Sequence, residues 1–282
     1  MFNIVNLKYG NVPCKSITEQ KISSFMNDTG TKRFNLRYTQ QDAIRIVDRD
    51  NEKAWLNAPF TEPMNSLLSS LSGYSPFLYE RKNGKGAARC LKTEEEYDSF
   101  IKFIDPYKDL VFLRDCLDLS ISLSMHESEP GVRTEFGEAE YQVKYNRDDD
   151  KNIDILVRSM QHWLEVLPYF KLADYVCCIP SSHPFMHTIV SRLNGFQFED
   201  ISNDVLWKNK NDEIKGKTTE EKINLLNQFD LQINHSVEGK TILLLDDMYQ
   251  SGLTMQYVAM RMKQAGAKYV FGMTLVKALT NA

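Results

Sequence analysis

The sequence predicts an α/β protein, in which a C-terminal, mostly parallel sheet with helices on both faces is preceded by an N-terminal α+β region. A continuous apolar run at residues 175–179 and two largely apolar runs, at residues 241–245 and 269–276, are separated by stretches with helical spacing. Continuous apolar runs of this length are typical of strands buried on both faces, and strands that alternate with helices form parallel βαβ units. These patterns predict the sheet and its two layers of helices.

The segments between and before these runs predict further elements. Tyr141, Val143 and Tyr145 alternate with polar residues, which predicts a strand. Apolar residues recur at helical spacing over residues 153–167, and a second helix is predicted to begin at Pro184.

The last third of the chain continues the alternation. Residues 204–207 predict a short strand, and the polar, lysine-bearing stretch 208–221 predicts a mobile loop. An apolar stripe over residues 255–265 predicts a helix that ends at Gly266.

The first half carries weaker patterns. Residues 34–47 and 109–123 have a mixed or helical pattern, and an acidic start after Thr93 predicts a helix through residue 104. A polar stretch at residues 126–131 contains a Pro-Gly turn signal. We therefore expect a domain boundary there, with residues 1–130 forming an N-terminal α+β region of unknown role and residues 131–282 forming the second domain.

Composition limits the classes of function. The 282 residues carry a formal net charge of −4, so the chain has no overall basic field for nucleic acid. It has no apolar run near the roughly 20 residues of a membrane helix, and its N-terminus lacks the pattern of a signal peptide. The five cysteines form no C-x-x-C pair and suit free thiols in a reducing compartment. We expect a cytoplasmic protein without a membrane partner.

One segment predicts chemistry. The apolar run 241–245 leads into Asp246 and Asp247, and a short loop then reaches Gly252 and a predicted helix. In open α/β sheets, ligands bind outside the carboxyl ends of the strands, and a glycine loop that enters a helix offers amide groups to a phosphate. Carboxylates suit hydroxyl groups or a cation instead. A ligand with a phosphate at one end and a diol at the other, such as ribose 5-phosphate, meets both demands.

This segment resembles the PRPP-binding signature of type I phosphoribosyltransferases, in which four apolar residues and two acids precede a loop with a hydroxyl residue, a glycine and a threonine. The resemblance implies that Asp246 and Asp247 are the catalytic residues that hold the ribose hydroxyls and Mg²⁺. It assigns the 5′-phosphate to the residues Met248, Tyr249, Gln250, Ser251, Gly252, Leu253 and Thr254. Gln250 and Ser251 both stand where threonine is more usual in the family.

From about residue 136 onward, the order of elements is similar to the ComF-like branch of that family, although the cysteine pairs common in this branch are absent. The likeness implies that Pro180, Ser181 and Ser182 grip pyrophosphate, and helix capping remains the alternative for the two serines. Lys217 belongs to a stretch that would close over PRPP, and a solvated surface charge is its alternative.

The resemblance implies a transferase that binds PRPP with Mg²⁺, moves ribose 5-phosphate to an unidentified acceptor and releases pyrophosphate. It also allows a homodimer. Two other classes of function stay open. One is a regulator that senses PRPP or a nucleotide without transfer, since fold does not dictate function. The other is an effector that acts with a nucleic-acid-containing partner, for which the basic stretch 81–89 is the only indication.

Overall fold

In a computed structural model of the chain, the described residues are 12–36, 45–49, 53–84, 86–145, 150–180, 183–210, 214 and 216–279. They divide into two compact units, one formed by Met1–Thr29 with Asp115–Ala282 and the other by Gly30–Arg114. The domain boundary expected near residue 130 lies inside the first of these units and stays a prediction. No described helix combines the length and the apolar character needed to cross a membrane.

The helices and strands follow in chain order. The helices are α1 (Glu19–Asn27), α2 (Met64–Ser72), α3 (Glu94–Ile104), α4 (Glu135–Tyr145), α5 (Asp150–Val166), α6 (Pro168–Lys171), α7 (Phe185–Arg192), α8 (Thr219–Phe229) and α9 (Leu253–Gln264). The strands are β1 (Arg33–Asn35), β2 (Arg45–Arg49), β3 (Lys53–Ala58), β4 (Tyr79–Glu80), β5 (Ala87–Leu91), β6 (Val111–Leu113), β7 (Leu119–Met125), β8 (Glu127–Glu129), β9 (Val132–Arg133), β10 (Tyr175–Cys178), β11 (Glu199–Asp200), β12 (Val205–Trp207), β13 (Leu231–Ile233), β14 (Thr241–Tyr249) and β15 (Tyr269–Lys277).

The first unit is built on a parallel sheet. Its strands lie in the order β7-β15-β14-β10-β11, and each of these neighbours pairs in parallel. All nine residues of β15 are buried, and β14 is buried from Thr241 to Leu245. Parallel neighbours need crossover connections, which α7 and α9 supply between β10 and β11 and between β14 and β15. The predicted α/β fold with helices flanking a mostly parallel sheet is confirmed.

The second unit has an antiparallel sheet of order β2-β3-β5-β4, with α2 and α3 beside it in the chain. In this unit the partly buried Arg89 side chain donates to the carbonyl oxygens of Phe77 at 2.7 Å and Pro76 at 2.6 Å. The Arg89 guanidinium also lies 4.8 Å from the centre of the Tyr74 ring. The Arg89 side chain is therefore largely buried and contributes little to a basic surface, while the partner suggested by residues 81–89 stays a prediction.

Two stretches with a mixed or helical pattern form strands instead. Where residues 34–47 and 109–123 are described, they contribute to β1, β2, β6 and β7; residues 37–44 lie outside the described part. The sequence of β7 alternates serine with leucine and isoleucine, which is a period of two. Its serines are buried as well, and the Ser122 hydroxyl bonds to Thr274 on β15.

The strand predicted from Tyr141, Val143 and Tyr145 is also wrong, because these residues lie in α4. The helix is favoured at its start, where the Thr134 hydroxyl accepts from the amide of Gly137 at 2.9 Å. Residues four apart then meet along the helix: the rings of Tyr141 and Tyr145 are 4.7 Å apart at their centres. Val143 lies on the opposite side of the helix from the two tyrosines and is buried, whereas Tyr145 is exposed, so the alternation of three residues does not report a sheet face.

Gly137 fixes how closely α4 approaches the chain at His126, and we expect Gly137→Ala to destabilise the protein. Alanine normally stabilises a helix interior by about 1 kcal/mol relative to glycine. Here, however, the added Cβ would overlap the carbonyl oxygen of His126 and would lie 2.8 Å from the carbonyl carbon of His126. Urea unfolding should show a net loss of about 2 kcal/mol. Ser99→Ala, at an exposed position of α3, is the control and should show no loss; a stabilised Gly137→Ala would contradict the close approach.

Candidate functional site

A cavity of about 610 Å³ lies at the carboxyl end of β14 and the start of α9. It brings together all of the residues predicted from the signature, together with residues from the segment before α8 and from the start of α8. Its lining residues are Ile214, Gly216, Lys217, Lys222, Asp246, Asp247, Met248, Tyr249, Gln250, Ser251, Gly252, Leu253, Thr254 and Met255.

The acid pair lies inside the strand rather than after it, because β14 continues to Tyr249. Consecutive side chains of a strand point to opposite faces, so the two carboxylates leave β14 in different directions. Short local bonds orient them: the amide of Asp247 donates to Asp246 Oδ1 at 3.1 Å, and the amide of Met248 donates to Asp247 Oδ1 at 2.8 Å. Asp247 is largely buried, with 8% of its surface exposed.

The second oxygen of Asp247 meets a lysine from another helix. Lys144 Nζ on α4 lies 2.7 Å from Asp247 Oδ2 and 3.5 Å from Glu140 Oε1. Burial lowers the pKa of Lys144, but the charges of Asp247 and Glu140 outweigh that effect and raise it, so the ammonium stays charged. Lys144 was not predicted as a site residue, because the strand expected over residues 141–145 concealed its helical spacing of four from Glu140.

Glu140 is the most deeply buried carboxyl near the site, with 1% of its side chain exposed. Burial, and to a smaller extent the negative charge of Asp247, raise its pKa to about 7 despite the opposing effect of Lys144. On its other side, Glu140 Oε2 lies 3.5 Å from Nε2 of His126, whose own pKa is lowered mainly by burial. Asp247 is therefore connected, through Lys144 and Glu140 on α4, to His126 by a series of contacts between charged and titratable side chains.

The loop before α9 is shaped for an anion. Gly252 has a φ of +75°, which glycine adopts without strain, and it serves as the N-cap of α9. Among the described residues, no hydrogen-bond partner accepts from the amides of Gly252 or Thr254, while the amide of Leu253 makes only a long contact of 3.4 Å with the Ser251 hydroxyl. The start of a helix with such amides carries partial positive charge.

Two buried side chains, Tyr249 and Lys277, hold this loop through hydrogen bonds. The Tyr249 hydroxyl donates to Asp115 Oδ2 at 3.1 Å, and burial followed by the charge of Asp115 raises the pKa of Tyr249 well above its usual value. Lys277, with 1% of its surface exposed, donates from Nζ to the carbonyl oxygen of Gln250 at 3.1 Å. The sequence signature gives no indication of Asp115 or Lys277, because both come from neighbouring strands or loops.

The remaining predicted site residues differ in whether the structure describes them and whether they line the cavity. Lys217 lines the cavity, and so does Lys222 from α8, which the sequence did not single out. Pro180 follows β10, whose end is paired with β14 through the amide of Ile179 and the carbonyl of Leu245 at 2.8 Å. Ser181 and Ser182 lie outside the described residues. Pro180 thus lies at the same edge of the sheet as the acid pair.

Comparison with known proteins agrees with this geometry. Residues 174–280 match the family model described as the phosphoribosyl transferase domain. The C-terminal part of the chain carries a phosphoribosyltransferase domain. This domain supports a role that uses PRPP, and it includes β10, β14, α9 and β15, whereas α4 and Lys144 precede it. No curated protein matches the chain.

Proposed function

We propose that the protein binds PRPP with Mg²⁺ and transfers its ribose 5-phosphate group to a base or another nucleophile, with release of pyrophosphate. The observation that carries this proposal is that the acid pair and the loop before α9 line the same cavity. Asp246 and Asp247 accept hydrogen bonds from the ribose hydroxyls, and the amides that precede and open α9 donate to the 5′-phosphate.

The reaction breaks the bond between the anomeric carbon and pyrophosphate, whose oxygen takes the electron pair, and forms a bond from that carbon to the nucleophile. The carboxylates favour the positive charge that develops on the sugar, and Lys217 and Lys222 stabilise the negative charge of the departing group. The turn that starts at Pro180 is proposed to hold the pyrophosphate through residues 180–182. Positioning of the sugar supplies much of the remaining rate.

The side chains present fit a magnesium site that is completed by the substrate. No group of three or more histidine, cysteine, aspartate or glutamate residues suited to a metal occurs in the described part of the chain. Mg²⁺ in proteins, however, is commonly held by one or two carboxylates together with substrate phosphates. Asp246 and Asp247 would provide the carboxylates, and Mg²⁺ would neutralise part of the pyrophosphate charge as it leaves.

A regulator that binds PRPP without transfer is the second candidate. Tyr249 occupies the loop position at which some phosphoribosyltransferases place an acid, and its buried hydroxyl is bound to Asp115. Because burial keeps this phenol protonated at neutral pH, it supplies no general base there.

Calorimetric titration with PRPP, with and without Mg²⁺, tests the proposal. The wild-type protein should bind PRPP, and the variant Asp246→Asn/Asp247→Asn should bind at least about tenfold more weakly, because neutral amides accept hydrogen bonds less well than carboxylates do. Asp154→Asn, on the exposed side of α5, is the matched control and should bind as the wild type does. Absence of wild-type binding would contradict both candidate functions.

A second measurement separates the two candidates. Pyrophosphate release should be followed with PRPP and a panel of purine and pyrimidine bases. Release with any one of them supports the transferase. Tight PRPP binding together with no release across the panel favours the regulator.

A further inference from the structure

The contact between α4 and β14 joins a helix outside the segment that matches the family model to a strand inside it. Lys144 Nζ reaches Asp247 Oδ2 at 2.7 Å, across 103 residues of sequence. About a quarter of the Lys144 side chain is exposed and about an eighth of the Asp247 side chain. This ion pair is therefore largely shielded from water, where an interaction between charges is stronger than at an open surface.

Together with the backbone, Lys144 accounts for both oxygens of Asp247. The amide of Met248 donates to Oδ1, and the ammonium of Lys144 donates to Oδ2. A carboxylate bound at both oxygens is restricted in rotation, yet each oxygen keeps a lone pair for a further donor. Asp247 is thus oriented before any ligand arrives, and it can still accept a hydroxyl.

Glu140 holds the lysine in place. It lies one helical turn before Lys144, and its Oε1 is 3.5 Å from the same ammonium. The longer distance makes Glu140 the weaker partner, which is consistent with a carboxyl group whose pKa is raised by burial. The Lys144 ammonium therefore interacts mainly with Asp247, and its second contact, with Glu140, restricts the positions that it can take.

We propose that Lys144, anchored by Glu140, is a positioning residue that orients the Asp247 carboxylate for the ribose hydroxyls of PRPP. The inference rests on the proposed function, since it assigns a task within the same site. Lys144 acts through Asp247 and is not one of the residues that line the cavity. Its removal would leave two buried carboxylates without their shared cation and free the Asp247 side chain to turn.

PRPP affinity, measured by calorimetry in the full chain, tests the inference through three substitutions. Lys144→Met should weaken PRPP binding on the order of tenfold, because it removes the charge that holds the Asp247 carboxylate. Methionine is a long, unbranched side chain like lysine, so the packing of α4 should change little. Lys144→Arg should restore most of the affinity, because arginine can donate to both carboxylates. In an Asp247→Asn background, Lys144→Met should have almost no additional effect, since residues that act as one unit are not additive.

The control is Lys151→Met, at an exposed position in the first turn of α5, which should bind PRPP as the wild type does. A merely structural role for Lys144 predicts additive losses in the double variant and no specific rescue by arginine. Equal PRPP affinity of the wild type and Lys144→Met, or additive losses with Asp247→Asn, would overturn the inference alone. If the wild type failed to bind PRPP, the proposed function would fall, and the inference with it.

Discussion

Gly252→Ala should remove most of the PRPP affinity and destabilise the fold by about 3 kcal/mol, as the sum of two penalties. The first is conformational: with φ at +75°, an alanine pays about 1 kcal/mol that glycine does not pay. The second is steric, because the added Cβ would overlap the ring of Tyr249. That ring cannot yield easily, since it is buried and its hydroxyl is bound to Asp115.

The loop must therefore move, and its amides move with it. PRPP binding should weaken at least about tenfold, because the proposed contacts to the phosphate need amides held to within a fraction of an ångström. Calorimetry with PRPP and urea unfolding of the same samples measure the two effects.

Gly195→Ala separates the two penalties. Gly195 has a φ of +80°, close to that of Gly252, but no atom lies within 4 Å of the position of its missing Cβ. The Gly195→Ala variant should lose only the conformational part, about 1 kcal/mol of the free energy of unfolding, and should bind PRPP as the wild type does. If Gly252→Ala lost no more stability than Gly195→Ala, the close packing of the loop against Tyr249 would be wrong.

The parts of the site that the sequence could predict are those that are local in the chain. Residues 246–254 form one continuous segment, so a strand, two acids and a glycine loop could be recognised together, and the cavity includes all of them. The end of the strand was harder to predict. Acidic residues disfavour strands, yet β14 runs through Asp246 and Asp247 because β15 pairs with it as far as Tyr249.

The groups that tune the site could not be predicted, because their contacts are distant in sequence. Lys144 and Asp247 are 103 residues apart, and Asp115 and Tyr249 are 134 apart. No spacing rule connects such pairs. The incorrect strand over residues 141–145 added to this, since four residues span about 13 Å in a strand, whereas one helical turn brings Glu140 and Lys144 into contact.

Glu140 should make the stability of the protein fall as the pH rises from about 4.5 to about 7. In the folded protein its pKa is about 7, mainly because it is buried, whereas its ordinary value is 4.5. Below pH 4.5 the group is protonated in both states, so its favourable contribution is fully present. Between the two values the unfolded chain releases the proton and the folded protein retains it, so rising pH favours unfolding.

The expected size follows from the shift in pKa. A difference of roughly two and a half pKa units corresponds to about 3 kcal/mol in the free energy of unfolding. Glutamine at this position is neutral at every pH and cannot show this change. Relative to the wild type, Glu140→Gln should therefore gain about 3 kcal/mol of stability between pH 4.5 and pH 7.5.

Urea unfolding of both proteins at several pH values across this interval measures the difference. Glu135→Gln is the matched control, because Glu135 begins the same helix and is exposed; its curve should run parallel to that of the wild type. Parallel curves for Glu140→Gln as well would mean that Glu140 is ionised throughout, held by Lys144 as firmly as Asp247 is. A gain by Glu140→Gln of the expected size, seen as curves that separate as the pH rises, would instead support Asp247 as the main partner of the ammonium, because a carboxyl group that keeps its proton is the weaker competitor for it.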